Sequence, residues 1–289
     1  MGSRALVLGG GGPVGIAWES GLLAGLAKAG IDLGRSDFIV GTSAGSFVGA
    51  RLAMGAEAAT LADAILGETA RPEVGSGPTS GGGRRPADLS KLMALMAEAQ
   101  GGGSDPDAAR ARIGAFALAA DTPDEADFIA SFGRSFAGLA EDAWPVRGYA
   151  CTAVDALTGA FEVWTRDSGV GVTRAVASSC SVPGVYPPIT IKGRRYIDGG
   201  MRSPTNADVA KGYDLVVVVA VRVGPGGPLD AEIETLKAGG ADVLLITPDA
   251  ASLTAMGVNL MDFRARGSAV RAGMVQAAGE VAALQGFWG

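Results

Sequence analysis

The residues best placed for chemistry are those of the stretch Gly41-Thr42-Ser43-Ala44-Gly45. The apolar run before it and the helix-forming run after it predict a strand, a sharp turn and a helix, with Ser43 at the turn. This is the pattern of a nucleophile elbow, in which Gly41 and Gly45 are needed because a Cβ there would strike the strand or the helix. The alternative is an ordinary turn in which the Ser43 side chain caps the helix.

A serine that attacks a carbonyl carbon also needs hydrogen-bond donors for the oxygen that becomes negatively charged. The first amides of the helix after Ser43, beginning with Ala44, are candidates because a helix N-terminus favours negative charge. The glycine loop that follows the first predicted strand offers further donors. We therefore predict an oxyanion hole built from the backbone N–H groups of Gly10, Gly11, Gly12 and Ala44.

The glycine loop has a second interpretation. The spacing Gly10-x-Gly12-x-x-Gly15 matches the fingerprint of a dinucleotide-binding site, which would make the protein a nucleotide-binding oxidoreductase. That fingerprint calls for an acidic residue at the end of the second strand, where this chain continues into the Ser43 motif. We favour the oxyanion hole, which needs no cofactor, and keep nucleotide binding as the alternative.

The base that would activate the serine must be a carboxylate. The chain contains no histidine, so a Ser-His-Asp triad and a His-ligated metal site are both excluded. Asp198 ends a predicted strand and precedes Gly199-Gly200, and glycines at that place leave a carboxylate unobstructed. The alternative for Asp198 is a turn residue that caps the two glycines.

Composition limits the classes of partner. The 289-residue chain has a net charge of −6 and no basic run, which makes it a poor nucleic-acid binder. It has no run of about 20 apolar residues, so no membrane-spanning helix is expected, and its N-terminus lacks the apolar core of a signal peptide. The acidic residues show no metal-ligand spacing, and Cys151 and Cys180 are expected to be buried thiols. We expect a cytoplasmic protein without a metal, with peripheral membrane attachment as an option.

Predicted helices and strands alternate at both ends of the chain, which indicates an α/β fold with a mainly parallel central sheet in a single domain, 1–289. Two hairpins are expected in the middle of the chain, over residues 146–165 and 189–197. A helical, glycine-rich segment, residues 67–142, interrupts the alternation, and we expect it to lie over the site as a lid. The last helix of this segment is expected over about 122–140, with Thr122 as its cap.

One helix of this segment carries an apolar stripe at the spacing i, i+3, i+4, i+7, formed by Leu89, Leu92, Met93 and Met96. A stripe of this kind most often packs against a core. The alternative is transient contact with a membrane surface, because methionine side chains adapt to apolar surfaces and a pair of arginines precedes the helix.

Four stretches of this sequence resemble, in their order, motifs of the patatin-like phospholipase family. The resemblance implies a three-layer α/β/α fold and a serine acyl hydrolase that cleaves lipid or related esters. It also implies a Ser-Asp dyad, with Ser43 as the nucleophile and Asp198 as the base, and an oxyanion hole in the glycine loop. The stretches are Gly10–Gly15, Gly41–Gly45, Ala177–Pro183 and Asp198–Gly200, and the resemblance covers about residues 4–56 and 146–215.

One position departs from the family pattern. The family often has Arg or Lys where this chain has Val14. Because a cation there could hold the loop or an anionic head group, its loss bears on phospholipid preference more than on ester hydrolysis. A homologue that binds lipid and catalyses weakly is therefore the alternative function, and no oligomeric state is predicted.

Overall fold

The computed structural model describes residues 2–69, 89–100, 105–222, 224 and 227–288. The chain divides into two compact units. Unit 1 comprises Met1–Val74, Pro145–Ala150 and Pro204–Gly289, and unit 2 comprises Gly75–Trp144 and Cys151–Ser203. Most of the predicted 67–142 segment thus belongs to unit 2, and its role as a lid stays a prediction.

Within these residues the chain forms eight strands and ten α-helices. The strands are β1 (Arg4–Leu8), β2 (Phe38–Gly41), β3 (Gly148–Asp155), β4 (Phe161–Trp164), β5 (Ile189–Ile191), β6 (Arg194–Asp198), β7 (Leu215–Val219) and β8 (Asp242–Ile246). The helices are α1 (Gly12–Lys28), α2 (Ala44–Ala53), α3 (Asp63–Thr69), α4 (Ser90–Gln100), α5 (Pro106–Ala119), α6 (Glu125–Gly133), α7 (Val172–Ser179), α8 (Pro228–Ala238), α9 (Ala250–Met256) and α10 (Arg266–Trp288).

Unit 1 contains parallel strands in the order β2-β1-β7-β8. Their apolar and β-branched residues are almost all buried in β1 and β7, as expected for parallel strands covered on both faces. The predicted α/β fold with a mainly parallel sheet is confirmed. Leu8 pairs with both Gly41 and Val219, so the loops that follow β1, β2 and β7 all begin at one edge of the sheet.

Helix α1, which begins in the glycine loop, is held by close packing against α10. A Cβ added to Gly25 would lie 2.5 Å from the Cβ of Ala277, and one added to Gly273 would lie 2.8 Å from the amide nitrogen of Leu22. Only glycine permits so close an approach of two helix backbones. This contact therefore fixes the helix that carries the loop.

Unit 2 is built on antiparallel pairs, in which β6 lies between β5 and β3, and β4 pairs with β3. The two predicted hairpins are confirmed. Helices α4 and α5 pack on this part of the sheet through a buried cluster that includes Leu92, with Leu89 and Met96 against it, while Met93 is 54% exposed. The core interpretation of the apolar stripe is confirmed, because its central residue is buried inside unit 2.

One predicted helix is shorter in the structure than expected from the sequence. Helix α6 begins at Glu125 rather than at 122, because the Asp124 side chain accepts hydrogen bonds from the amides of Ala126 and Asp127, and it ends at Gly133. Cys151 and Cys180 are buried and not joined by a disulfide, as predicted. The described helices include none that is long and apolar enough to cross a membrane.

Candidate active site

Ser43 lies between β2 and α2 in a conformation that residues other than glycine rarely adopt. Its backbone angles are φ +52° and ψ −118°. Although Ser43 precedes the first residue of α2, its side chain makes no capping hydrogen bond to that helix. The interpretation of Ser43 as an ordinary helix cap is therefore wrong. The chain forms a strained turn between strand and helix, and the role of Ser43 as a nucleophile stays a prediction.

The two glycines of the elbow have no room for a side chain. A Cβ on Gly41 would lie 2.5 Å from the Cα of Ser46 and would overlap the carbonyl group of Gly45. A Cβ on Gly45 would overlap the carbonyl group of Leu8 and lie 2.6 Å from its Cβ. The predicted reason for glycine at both positions is confirmed: strand β1, strand β2 and helix α2 meet here in backbone contact.

The glycine loop after β1 lies against the elbow. The Gly45 amide donates to the Gly9 carbonyl at 3.0 Å, and the Gly9 amide donates to the Val219 carbonyl at 3.0 Å. A Cβ on Gly10 would lie 3.3 Å from the Cβ of Ser43. The Gly10 amide itself donates to the carbonyl of Pro204 at 2.7 Å, so it ties the loop to the chain that follows unit 2.

Two amides of this loop stand at the start of α1. Pro13 has no N–H, and the two amides after it donate to the carbonyls of Leu260 (3.2 Å) and Gly11 (2.7 Å). Among the described residues, the N–H groups of Gly11 and Gly12 have no acceptor. The first amides of a helix are the ones left without an intrahelical partner, so these two can serve a ligand.

Most of the first backbone amides of α2 already have acceptors. The amides after Ala44 donate to the carbonyls of Gly9, Thr42 and Ser43. The N–H of Ala44 is the one in this first turn for which the described part of the chain offers no acceptor. Unit 1 therefore brings together the strained Ser43 and, on the two loops beside it, three amides that are available to bind negative charge.

A buried network of polar side chains, which was not predicted from the sequence, holds Thr42, the residue before Ser43. The Asn206 side-chain amide donates to the Thr42 hydroxyl at 3.0 Å, and that hydroxyl donates to the Thr205 carbonyl at 3.2 Å. The Thr205 hydroxyl and the Ala207 amide in turn donate to one oxygen of Glu232, at 2.6 and 2.8 Å. The sequence signal was a run of small polar residues shortly after the Asp198 glycines.

Asp198 lies at the end of β6 in unit 2. It is 3% exposed, it is paired with Ala153 of β3, and its Oδ1 accepts a hydrogen bond from the Gly200 amide at 2.7 Å. A Cβ on Gly199 would lie 2.5 Å from the Thr152 carbonyl oxygen, so the turn requires glycine. The capping interaction considered for Asp198 is thus present, and it fixes the carboxylate. Ser43 and Asp198 belong to different units, and their pairing stays a prediction.

A second buried carboxyl group, also missed by sequence reasoning, lies on α1. Glu19 is fully buried, and neither of its carboxyl oxygens has a hydrogen-bond partner among the described residues. Burial raises the pKa of Glu19 well above its ordinary value. The backbone amide of Gly9 lowers this pKa, but by less than burial raises it. Burial therefore disfavours the ionised form of Glu19, which lies on the helix that follows the loop with the proposed donors. In the described residues, no group of three or more His, Cys, Asp or Glu side chains could hold a metal.

Two solved structures are similar to this chain. The solved structure of VipD from Legionella pneumophila is similar over 98% of this chain and 67% of its own, with a TM-score of 0.50 and 13% identity. The type III effector protein ExoU gives a TM-score of 0.38 and 17% identity over 95% of this chain and 53% of its own. No curated protein sequence matches the chain.

Because VipD and this chain share only 13% sequence identity, their similarity concerns the fold alone. The family comparison is more specific: the model described as Patatin-like phospholipase matches residues 6–211, more than two thirds of the 289-residue chain. The matched region contains the glycine loop, the elbow and Asp198. The chain therefore belongs to the patatin-like phospholipase family, whose name supports a lipid hydrolase activity.

Proposed function

We propose that this protein is a serine acyl hydrolase that cleaves ester bonds of lipids through an acyl intermediate on Ser43. The observation that carries the proposal is the strained Ser43 beside the amides of Gly11, Gly12 and Ala44, for which the described residues offer no acceptor. A strained nucleophile next to unengaged backbone donors is the arrangement that acyl transfer requires. Family membership supports a lipid as the source of the ester.

The proposed reaction begins with attack of the Ser43 Oγ on the ester carbonyl carbon, while the Asp198 carboxylate accepts the hydroxyl proton. The carbonyl oxygen becomes negatively charged and is stabilised by the three amides. The intermediate collapses, and Asp198 returns the proton to the departing alcohol oxygen. Water then attacks the acyl-Ser43 ester while Asp198 accepts its proton. The second intermediate collapses, the fatty acid leaves, and Asp198 returns the proton to the Ser43 Oγ.

Asp198 is the proposed base because of its place in the chain. Only five residues separate it from Pro204, whose carbonyl accepts the Gly10 amide beside Ser43. The turn that follows it also fixes its orientation through the Gly200 amide. Because the Gly10 amide is already engaged, we assign Gly10 a positioning role and leave the donation to Gly11, Gly12 and Ala44.

The two alternative functions gain less support. The side chain of Val14 is fully buried, so it contributes to packing and not to head-group contact, and the missing cation there does not argue for a protein that only binds lipid. A dinucleotide site would need an acidic residue after β2, where the chain forms the Ser43 elbow instead.

The proposal is tested by reaction with a fluorophosphonate, which labels activated serines. We expect mass spectrometry to find the adduct on Ser43 in the wild-type protein, and none in Ser43→Ala. The control is Ser268→Ala, an exposed serine of α10 in the same unit, which should label as the wild type does. A folded wild-type protein that neither labels at Ser43 nor hydrolyses p-nitrophenyl esters would refute the proposal and favour the lipid-binding alternative.

A further inference from the structure

The loop between α9 and α10, residues 257–265, lies directly against the glycine loop in unit 1. The Leu260 carbonyl accepts the Val14 amide at 3.2 Å, and a Cβ on Gly12 would lie 2.9 Å from the Met261 sulfur. Gly12 is one of the three proposed oxyanion donors. Whatever the 257–265 loop binds is therefore held beside the reacting carbonyl.

This part of the chain exposes large apolar side chains. Val258 is fully exposed, Leu253 on α9 is 56% exposed, and Phe263 is 39% exposed. The twelve residues from Ala250 to Met261 include no charged residue. Single exposed apolar residues are ordinary on a protein surface. Two on one short uncharged segment, Leu253 and Val258, with Phe263 just beyond it, make this segment a candidate site of interaction.

The loop is held in shape by its own hydrogen bonds. Gly257 ends α9 with φ +68°, and the chain then turns so that the Asn259 side chain accepts the Met261 amide at 3.1 Å. The Ser268 hydroxyl ties the start of α10 back to the Ala255 carbonyl at 2.8 Å. The exposed Val258 is therefore presented by an ordered turn, so that contact with a partner loses little conformational entropy.

The charges at the edge of the loop neutralise one another. Asp262 pairs with Arg264 at 2.8 Å, and the hydrogen bonds from Arg264 lower the pKa of Asp262 to about 2, so both groups stay ionised at neutral pH. Arg266 pairs with Glu68 at 2.6 Å. An apolar tip with a neutralised rim, on a chain whose net charge is −6, suits an uncharged lipid surface better than an anionic one.

We propose that Leu253 and the exposed side chains of the 257–265 loop form a lipid-contact surface, which inserts into a zwitterionic phospholipid layer and holds the protein where an ester can reach Ser43. This inference rests on the proposed function for its role in catalysis. It places membrane contact on unit 1, whereas the apolar stripe of α4 considered from the sequence is occupied by core packing in unit 2. Arginines 84 and 85, also considered there, lie outside the described residues.

The test compares Val258→Asp with Val275→Asp, which changes another exposed apolar residue of unit 1, 74% exposed on α10. Binding is measured by cosedimentation with phosphatidylcholine vesicles, and activity on the same vesicles and on soluble p-nitrophenyl butyrate. We expect V258D to weaken vesicle binding about tenfold or more, because a charge replaces the exposed valine side chain that the lipid layer is proposed to bury. The ratio of vesicle to soluble-ester hydrolysis should fall by a similar factor, and V275D should match the wild type.

The outcomes separate the two proposals. The proposed lipid-contact surface would be overturned if V258D bound the vesicles as strongly as the wild type. It would also be overturned if the wild type bound only vesicles that contain anionic lipid, or bound no vesicles. Ser43→Ala should bind vesicles as the wild type does, because Ser43 lies outside the loop. If the wild type binds through Val258 but hydrolyses neither substrate, the surface stands and the proposed hydrolase function fails.

Discussion

The conformation of Ser43 shows how the elbow stores strain in one residue. A non-glycine residue in this region costs about 1–3 kcal/mol and persists only where its surroundings enforce it. The enforcement here is backbone contact, since neither Gly41 nor Gly45 has room for a Cβ. The serine hydroxyl is thereby presented at the turn rather than used to cap α2.

Two separate substitutions of Ser43 distinguish the effect of its backbone strain on stability from the effect of its hydroxyl on ester hydrolysis. Ser43→Gly and Ser43→Ala both remove the nucleophile, and we expect both to lose ester hydrolysis. Glycine tolerates a positive φ, so S43G should be more stable than S43A by about 1 kcal/mol, as measured by urea unfolding. Equal stability of the two variants would show that the Ser43 backbone is not strained in solution.

Burial has a marked electrostatic consequence at Glu19. Its carboxyl group is fully buried, and the Gly9 amide only partly offsets the cost of burying a negative charge. Burial therefore keeps it protonated at pH values at which a carboxyl group in the unfolded chain is ionised. Unfolding in that pH range releases a proton, so rising pH favours the unfolded state.

The variant Glu19→Gln removes this titration and retains the shape of the side chain. Starting at about pH 4.5, the ordinary pKa of glutamate, the wild type should lose about 1.4 kcal/mol of unfolding free energy per pH unit relative to E19Q. The loss should stop once pH exceeds the folded-state pKa. Urea unfolding of both proteins at pH 5, 6, 7 and 8 measures it. A constant difference across this range would mean that Glu19 ionises normally in the folded protein.

At the scale of elements, the position of the glycine loop depends on the contact between α1 and α10. Glycines at the crossing bring the two backbones together, and the Trp18 indole donates to the Gln276 side chain at 3.2 Å across the same contact. The same Gln276 oxygen accepts from the Asp249 amide and the Ser252 hydroxyl, which also anchors α9. Helix α10 therefore supports both the glycine loop and the proposed lipid-contact surface.

This contact is tested by comparing two glycine-to-alanine substitutions in α10, one at the contact and one at an open position of the same helix. Gly279 has open space around its Cα, so Gly279→Ala should stabilise the protein by about 0.8–1 kcal/mol through helix propensity. Gly273→Ala should instead destabilise it by about 1–3 kcal/mol, because the new Cβ would overlap the Trp18 carbonyl. Thermal or urea unfolding measures both, and similar stabilisation by the two substitutions would contradict the close crossing.

Element boundaries were harder to predict than element types. Helix α6 starts later than Thr122 because Asp124, not the threonine, accepts the first amides. Helix α9, over Ala250–Met256, was not predicted at all, since a short uncharged run has no clear periodicity. Its stability comes from the Asp249 cap and from Gln276 of α10, which lies far along the chain.

At the scale of the whole molecule, the proposed reaction needs a nucleophile from unit 1 and a base from unit 2. Asp198→Asn preserves an oxygen that can accept the Gly200 amide, so the turn should stay intact. We expect ester hydrolysis to fall at least about a hundredfold, because the amide cannot accept the serine proton. The double variant S43A/D198N should be no less active than S43A, since members of one catalytic unit are not additive.

The control for this substitution is Asp124→Asn in the same unit. Asp124 caps α6 in a similar way and lies outside the proposed site, so D124N should hydrolyse p-nitrophenyl esters at the wild-type rate. Activity in D198N close to that of D124N would rule out Asp198 as the base and direct attention to another carboxylate.

The sequence by itself determined the parts of this protein that depend on local sterics and on composition. Glycines on both sides of Ser43 specify the tight turn because a Cβ at either position would meet backbone. The absence of histidine restricts the proposed base to a carboxylate. Alternating apolar runs specify the α/β class for the same local reason.

Only the tertiary structure decided which amides of the glycine loop are available. The Gly10 amide is engaged by Pro204 and the Val14 amide by Leu260, both about 200 or more residues away in sequence. Within the described part of the chain, this leaves the amides of Gly11 and Gly12 without an acceptor. The burial of Glu19, the packing of the α4 stripe and the exposure of Val258 are decided in the same way. The physical reason is that hydrogen-bond satisfaction and burial depend on partners that no local pattern of residues encodes.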